Sequence, residues 1–371
     1  MTTLVRRLRC EHLCDPMGIH TSRPRLSWQV LSDQQNSRQV AYQVLVSSSA
    51  ELLAAGEGDL WDSGRVHSDE CWLVPYDGRA LRSRDRAHWS VRVWEERGEP
   101  SAFAPAARWE MGLLEEADWQ AEWVTAGPSS EPSAVTYLRS CLRLDAPVRR
   151  ARAYVTALGI YDLSCNGIRV GDARLSPGWT DYAQRIHYQV LDMTHLLVEG
   201  DNALEVRLAD GWYAGYVGFQ GERAHYGSTP QLLAQFEVDT EDGRIVHSTG
   251  RNWTVSRGPI RTSDILRGET HDRRHRLELE QAARVAEILT RVAEAASDLG
   301  ASRARTFREV TLPLVWTGIF GSFLFGFTLT WNDYDRTLLL ISGVEVQTLP
   351  LTIAGLTFTA AIRPDLYALG S

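Results

Sequence analysis

Short runs of alternating apolar and polar residues, separated by Gly and Pro, occupy the first third of the chain. Side chains alternate across a strand with period two, so this pattern predicts β-strands at 25–30, 41–46 and 88–94. In the last of these Trp89, Val91 and Val93 share one face, with polar residues between them. The same signal returns at 153–156, 161–165, 203–208 and 232–238. Asn166-Gly167 and Asp242-Gly243 each sit where a two-residue hairpin turn with positive φ is expected. The Gly-, Pro- and Ser-rich stretch 127–133 reads as a loop. No repeat spans the chain, and the two β-rich units are not copies of each other.

After about Leu277 the pattern changes. Residues 278–299 have the composition of a helix, rich in Ala, Glu, Arg and Leu without Gly or Pro. Residues 310–332 carry no charge, and about twenty apolar residues suffice to cross a bilayer, so a membrane-spanning helix is expected over 311–331. Arg303, Arg305 and Arg308 precede it and place that flank on the cytoplasmic side. The competing role for this run is a buried soluble helix or strand pair. A weaker apolar stretch, 337–362, is broken by Glu345 and Pro350.

Composition narrows the function classes. A length of 371 residues suggests two or three domains. The formal charge of −8 argues against nucleic acid as a partner, since such proteins usually carry a basic excess. With 44% hydrophobic and 23% charged residues the chain is globular. Thirteen Trp and 12 Tyr beside 9 Phe favour β-rich domains with amphipathic aromatic surfaces. Five scattered cysteines make neither a disulfide framework nor a complete metal site, Cys10 and Cys14 lacking a second half. Residues 1–13 have no apolar core, so no signal peptide is expected.

An ordered series of motifs then carries a resemblance. Asp15-Pro16-Met17-Gly18-Ile19, Pro24-Arg25-Leu26-Ser27-Trp28, Leu60-Trp61-Asp62-Ser63-Gly64, Trp109-Glu110-Met111-Gly112 and Trp119-Gln120-Ala121-Glu122-Trp123 come first. Pro177-Gly178-Trp179-Thr180-Asp181-Tyr182, Asp210-Gly211-Trp212-Tyr213-Ala214-Gly215 and Gly268-Glu269-Thr270-His271-Asp272 follow. Over about 5–273 the chain resembles the N-terminal region of bacterial α-L-rhamnosidases. The resemblance implies a mainly β fold: a fibronectin- or immunoglobulin-like sandwich over 1–117, then a jelly-roll-like, carbohydrate-binding sandwich over 118–273. In that family an (α/α)6 barrel follows and holds the two carboxylates of an inverting hydrolysis. Here the family pattern stops after Asp272, and neither Glu115-Glu116 nor Glu269 and Asp272 make a pair poised across a sugar, so no catalytic residue is assigned.

Over about 282–371, within the remaining segment 274–371, the chain resembles another family. Glu294-Ala295-Ala296, Gly300, Val310 and Leu312-Pro313 fit the coupling motif of ABC-importer permease subunits, the spermidine/putrescine type being nearest. The resemblance implies an ATPase subunit as partner for Glu294, Ala295, Ala296, Gly300, Leu312 and Pro313, and a membrane partner for 311–331. With no signal peptide and with the flank of the span on the cytoplasmic side, the protein is expected in the cytoplasm, or in the inner membrane with both sandwiches on the cytoplasmic side. Two truncated families joined head to tail point to a hybrid reading frame with its junction near 273–281.

Trp179, Asp181, Tyr182, Asp210, Trp212, Tyr213 and Tyr216 are the candidate sugar contacts, because aromatic faces pack on C–H faces of sugars and carboxylates accept their hydroxyl hydrogens. Packing within the sandwich is their competing role. The resemblance implies rhamnose-containing glycans as partners and no cofactor; in some members such a module holds Ca2+ through oxygen ligands, which makes the second sandwich a candidate Ca2+ site. His271 and His275 would share a face on a helix, but no third metal ligand lies near. The Gly-rich stretch 211–221 reads as a loop between strands, not a phosphate cradle.

Overall fold

The computed structural model describes residues 3–96, 99–126, 133–217 and 221–275, and among these it forms nineteen strands. In the first sandwich a five-stranded sheet runs in the order β2-β8-β7-β4-β5 and a three-stranded sheet in the order β1-β3-β6. The strands are β1 (Thr3–Cys10), β2 (Met17–Ile19), β3 (Arg25–Ser32), β4 (Gln39–Ser47), β5 (Trp61–Asp62), β6 (Val74–Pro75), β7 (Arg86–Glu95) and β8 (Ala107–Met111). All pairings are antiparallel except β2 with β8. The expected strands at 25–30, 41–46 and 88–94 are present as β3, β4 and β7.

Period two explains the core of this unit. Trp89, Val91 and Val93 turn inward from β7 and are fully buried, against Val44 and Val46 of β4. Trp89 meets Trp109 edge-on, Trp109 meets Tyr76, and Tyr76 meets Trp61, with centroids 6.5, 5.8 and 5.5 Å apart. Such edge contacts add about 0.5–1.5 kcal/mol each beyond area burial. Trp28 keeps its indole N–H satisfied by donating to Gln39 Oε1 at 3.0 Å.

The second sandwich contains β9 (Thr136–Leu144), β10 (Val148–Leu158), β11 (Ile160–Cys165), β12 (Ile168–Arg169), β13 (Gln189–Asp192), β14 (Gly200–Ala209), β15 (Gln231–Thr240), β16 (Arg244–Ser248) and β17 (Thr254–Ser256). A four-stranded sheet β13-β10-β15-β16 faces a five-stranded sheet β12-β11-β14-β9-β17. A separate hairpin, β18 (Ile260–Asp264) with β19 (Gly268–His271), lies beside them. The strands expected at 153–156, 161–165, 203–208 and 232–238 lie inside β10, β11, β14 and β15. Asn166 and Gly167 both have positive φ, 51° and 77°, and close the β11–β12 hairpin. Thr240 donates its backbone N–H to Gly243 O, closing the second expected turn between β15 and β16.

Strand β10 is buried on both faces, which an alternating pattern does not predict. Ala153, Val155 and Ala157 point into their own sandwich core with Phe236 and Val238. Tyr154 points the other way and packs with Leu113, Val190, Trp119 and Tyr188, where the first sandwich covers the sheet. Arg152, 7% exposed, donates from Nε and Nη2 to Glu110 of β8 at 3.0 Å.

One expectation is corrected. Gly211–Ala214 is a single helical turn, not loop, its first residue at φ +53°. His271 ends β19 and Arg273–His275 is a 3-10 turn, so the two histidines do not share a helix face. Among the described residues no helix is long and apolar enough to cross a membrane. The expected helix 278–299, the span 311–331 and the coupling motif at Glu294, Ala295, Ala296, Gly300, Leu312 and Pro313 lie outside the described residues, as does loop 127–132.

Candidate functional site

Two loops bring the predicted aromatic residues together. One leaves β12 and reaches Trp179 through the cis Ser176–Pro177 bond; the other is the helical turn after β14, which carries Trp212 and Tyr213. Gly211 is needed there. A Cβ at this position would lie 2.6 Å from Ile160 Cγ2 and 2.9 Å from the Ile160 backbone nitrogen. The close approach and the positive φ both favour glycine.

Trp179 stacks on Trp212 with centroids 6.1 Å apart and planes 10° from parallel. Trp179 is 55% exposed, so its outer face is open. Its Nε1 donates to Tyr226 Oη at 3.2 Å, which fixes the ring. Tyr226 was absent from the sequence-based candidates, although its contacts knit them together. Behind the pair, Tyr182 meets Tyr213 and Tyr226 edge-on at 5.3 and 5.0 Å. Tyr182 is buried and donates to Gly178 O at 3.3 Å; burial, then Tyr226, pushes its hydroxyl up to about 12. It is a support, not a contact face.

The other candidates have structural partners. Asp181 is exposed and caps its own loop: Oδ1 accepts from Ala183 N at 3.1 Å, and its carbonyl accepts from Gln184 N and Arg185 N. Asp210 is 3% exposed and accepts from Arg223 Nη2 at 2.6 Å. Its carboxyl is held above the usual range by burial, with nearby Asp264 adding to the rise and Arg223 opposing it. Asp264 accepts backbone N–H groups from Tyr216, Leu266 and Arg267 at 2.8–2.9 Å. The guanidinium of Arg267 lies 3.4 Å over the Tyr216 ring, so that face is occupied. The structure thus gathers Trp179, Trp212, Tyr213 and Tyr182 into one cluster and places Tyr216 in an Arg–aromatic stack.

Metal chemistry finds little footing. Among the described residues no group of three His, Cys, Asp or Glu could hold an ion. Asp210 and Asp264 are engaged by Arg223 and by backbone N–H, so this donor set does not fit Ca2+. Cys10 is buried, and burial, then Glu11, pushes its thiol up to about 12, while Cys14 is exposed.

Sequence reading missed a second concave region altogether. It is a cavity of about 410 Å3 on the outer face of the five-stranded sheet, walled by Leu175 and the β18–β19 hairpin. Its charged members, Asp162, Arg169, Arg174, Arg207 and Glu269, come from four strands and the loop after β12, so nothing local announces it.

Comparison with known proteins places this geometry. Residues 5–115 match the Rha78A-like N-terminal immunoglobulin domain, and residues 146–309 match the α-L-rhamnosidase N-terminal domain. The second match runs past Asp272, where the motif series ends. An α-L-rhamnosidase of Alteromonas sp. (strain LOR) is 37% identical over 282 residues, covering 72% of this chain and 30% of the relative. The structure of α-L-rhamnosidase from Dictyoglumus thermophilum superposes with a TM-score of 0.68 at 32% identity, over 73% of this chain and 32% of that one. That of Streptomyces avermitilis α-L-rhamnosidase, complexed with L-rhamnose, gives 0.67 at 27% identity, over 74% and 43%. The chain therefore spans 29–42% of the length of the curated rhamnosidases it matches. Short stretches are similar to permeases: 39% over 67 residues with the diacetylchitobiose uptake permease DasC of Streptomyces coelicolor, and 35% over 82 residues with the spermidine/putrescine permease PotC of Haemophilus influenzae. These cover 18% and 22% of this chain, too little to assign its C-terminal part. What the matches do establish is that this chain carries the N-terminal domains of the α-L-rhamnosidase family, an immunoglobulin domain followed by the family's own N-terminal domain.

Proposed function

We propose that this chain is a non-catalytic N-terminal part of an α-L-rhamnosidase that holds rhamnose-containing glycans against the Trp179–Trp212 platform. The observation that carries this reading is the open face of Trp179, exposed by 55% yet fixed by stacking and by its hydrogen bond to Tyr226. A preorganised aromatic face loses little side-chain freedom on binding, so more of the contact energy remains as affinity. Holding rather than cutting is favoured because the nearby carboxylates already have partners. Inverting hydrolysis requires one acid and one base roughly 6.5–9.5 Å apart with room for water. Asp181, Asp210 and Asp264 instead serve a loop cap, an arginine and a set of backbone N–H groups.

Titration of the full chain with L-rhamnose and with a rhamnose-containing oligosaccharide tests this. Saturable quenching of Trp fluorescence, lost in Trp179→Ala, is expected. No response in the wild-type chain would overturn the binding role. Release of free rhamnose from a chromogenic rhamnoside would overturn the non-catalytic one.

A second reading rests on the uncharged stretch 310–332 and the short permease matches. In it, 274–371 derives from the membrane subunit of an ABC importer, joined through a hybrid reading frame, and the sandwiches stay on the cytoplasmic side. Recovery of the whole chain in the soluble fraction would sink it.

A further inference from the structure

The outer face of the five-stranded sheet carries a row of charges. Arg169 of β12 pairs with Asp162 of β11 and also donates to the carbonyls of Gly171 and Ala173 at 3.2 and 2.5 Å. Arg139 of β9 pairs with Glu205 of β14 at 2.5 Å. Arg207 of β14 stands between these two pairs, 3.8 Å from Asp162 and 3.5 Å from Glu205. The row holds three guanidiniums and two carboxylates, and each carboxylate has its closer partner at an end.

Arg207 is the surplus member. Among the described residues it donates no hydrogen bond, although a guanidinium offers five donors in a fork matched to a carboxylate. It also lines the 410 Å3 cavity, within the roughly 300–1,000 Å3 range of small-ligand sites. The floor beside it is apolar. Val135, Ile160, Ala209 and Ile260 form a small cluster on this outer face, Ile160 and Ala209 as direct cross-strand partners. An apolar floor next to an unspent guanidinium suits a ring with one carbon-rich face and one carboxylate. Two lining carboxylates oppose an anion there: Asp162, paired with Arg169, and Glu269, exposed on β19.

We propose that this cavity is a binding site for a uronate sugar, its ring on Ile160 and Ala209 and its carboxylate forked by Arg207. Neither Trp179 nor Trp212 lines this site, although Leu175 lies on the loop that carries Trp179.

The test is calorimetric titration of the full chain with glucuronate, the neutral glucuronate methyl ester and glucose. Saturable millimolar binding of glucuronate, weakened by added NaCl, is expected, with both neutral sugars at least about tenfold weaker. Arg207→Leu should weaken glucuronate at least about tenfold, the range of a lost charged hydrogen bond. That variant should fold, because Asp162 keeps Arg169 and Glu205 keeps Arg139. Glu269→Gln should tighten binding, and Trp179→Ala should leave it unchanged, which separates this site from the platform. Equal affinity for glucuronate and its methyl ester, an Arg207→Leu chain of normal melting temperature with unchanged affinity, or no saturation up to about 50 mM would each overturn the proposal.

Discussion

Arg84 of the first sandwich grips Glu237 of the second, with Nε and Nη2 donating to both carboxylate oxygens at 2.7–2.9 Å. Its remaining arm, Nη1, reaches Asp118 at 2.7 Å. The Glu237 side chain is 4% exposed, and Gln235 Nε2 donates to it at 2.8 Å. These partners raise the guanidinium's own pKa above its usual value, the Glu237 hydrogen bond first. With Arg152–Glu110 nearby, the two sandwiches share a buried ionic seam rather than a flexible linker.

Removing one partner of such a pair leaves an uncompensated buried charge, which costs more than the pair contributes. Arg84→Met should therefore destabilise the chain by about 3 kcal/mol. Urea unfolding measures this; a loss below about 0.5 kcal/mol would mean that water reaches Glu237 freely.

Stability should fall as the solution becomes mildly acidic. His247 is pushed below its ordinary pKa by burial, sitting between Phe236 and Trp253 and paired with Ser140 Oγ at 2.9 Å. The unfolded chain then binds a proton that the folded chain resists. Its contribution is present above about pH 6.5, the unfolded value, and is lost as pH drops towards the lower folded value. His88 is lowered in the same direction, by burial first. His247→Gln should flatten, without abolishing, the slope of unfolding free energy against pH below 6.5; an unchanged slope would refute the assignment to His247.

Gly211→Ala should damage stability and binding together. A Cβ there meets Ile160 at 2.6 Å in a backbone conformation with φ +53°. Strain of this kind costs about 1–3 kcal/mol. Relief requires moving the turn that carries Trp212 and Tyr213. Weaker rhamnoside binding at a temperature where the variant remains folded is the expected result, and wild-type affinity would separate the turn from the platform.

Core packing gives the largest expected loss. Phe236 is 1% exposed and stacks near Trp253 at 6.1 Å. Phe236→Ala should cost about 3–5 kcal/mol. Differential scanning calorimetry should show the loss as a lower melting temperature; a shift within error would contradict its place in the core.

Seven strands, β3, β4, β7, β10, β11, β14 and β15, were legible in the chain, because alternation is a local property: it needs only neighbours two residues apart. The turns at Asn166-Gly167 and Asp242-Gly243 were equally local, and the ordered Trp, Gly and Asp motifs pointed to the rhamnosidase N-terminal domains. The double burial of β10 was not legible, since part of its second covering comes from the first sandwich through Leu113. Nor did local pattern say which aromatic rings were open. Trp179 and Tyr182 sit three residues apart in one motif, yet one is exposed and the other is 9% exposed under Tyr213 and Tyr226. Arg207 reads in sequence as one more charge on a strand; only strand order β12-β11-β14-β9 puts Arg169, Asp162, Glu205 and Arg139 around it. Local pattern thus determined seven of the strands and two of the turns. Tertiary pairing alone decided which charges are spent and which faces stay open, because those depend on residues far apart in the chain that meet only when the sheets form.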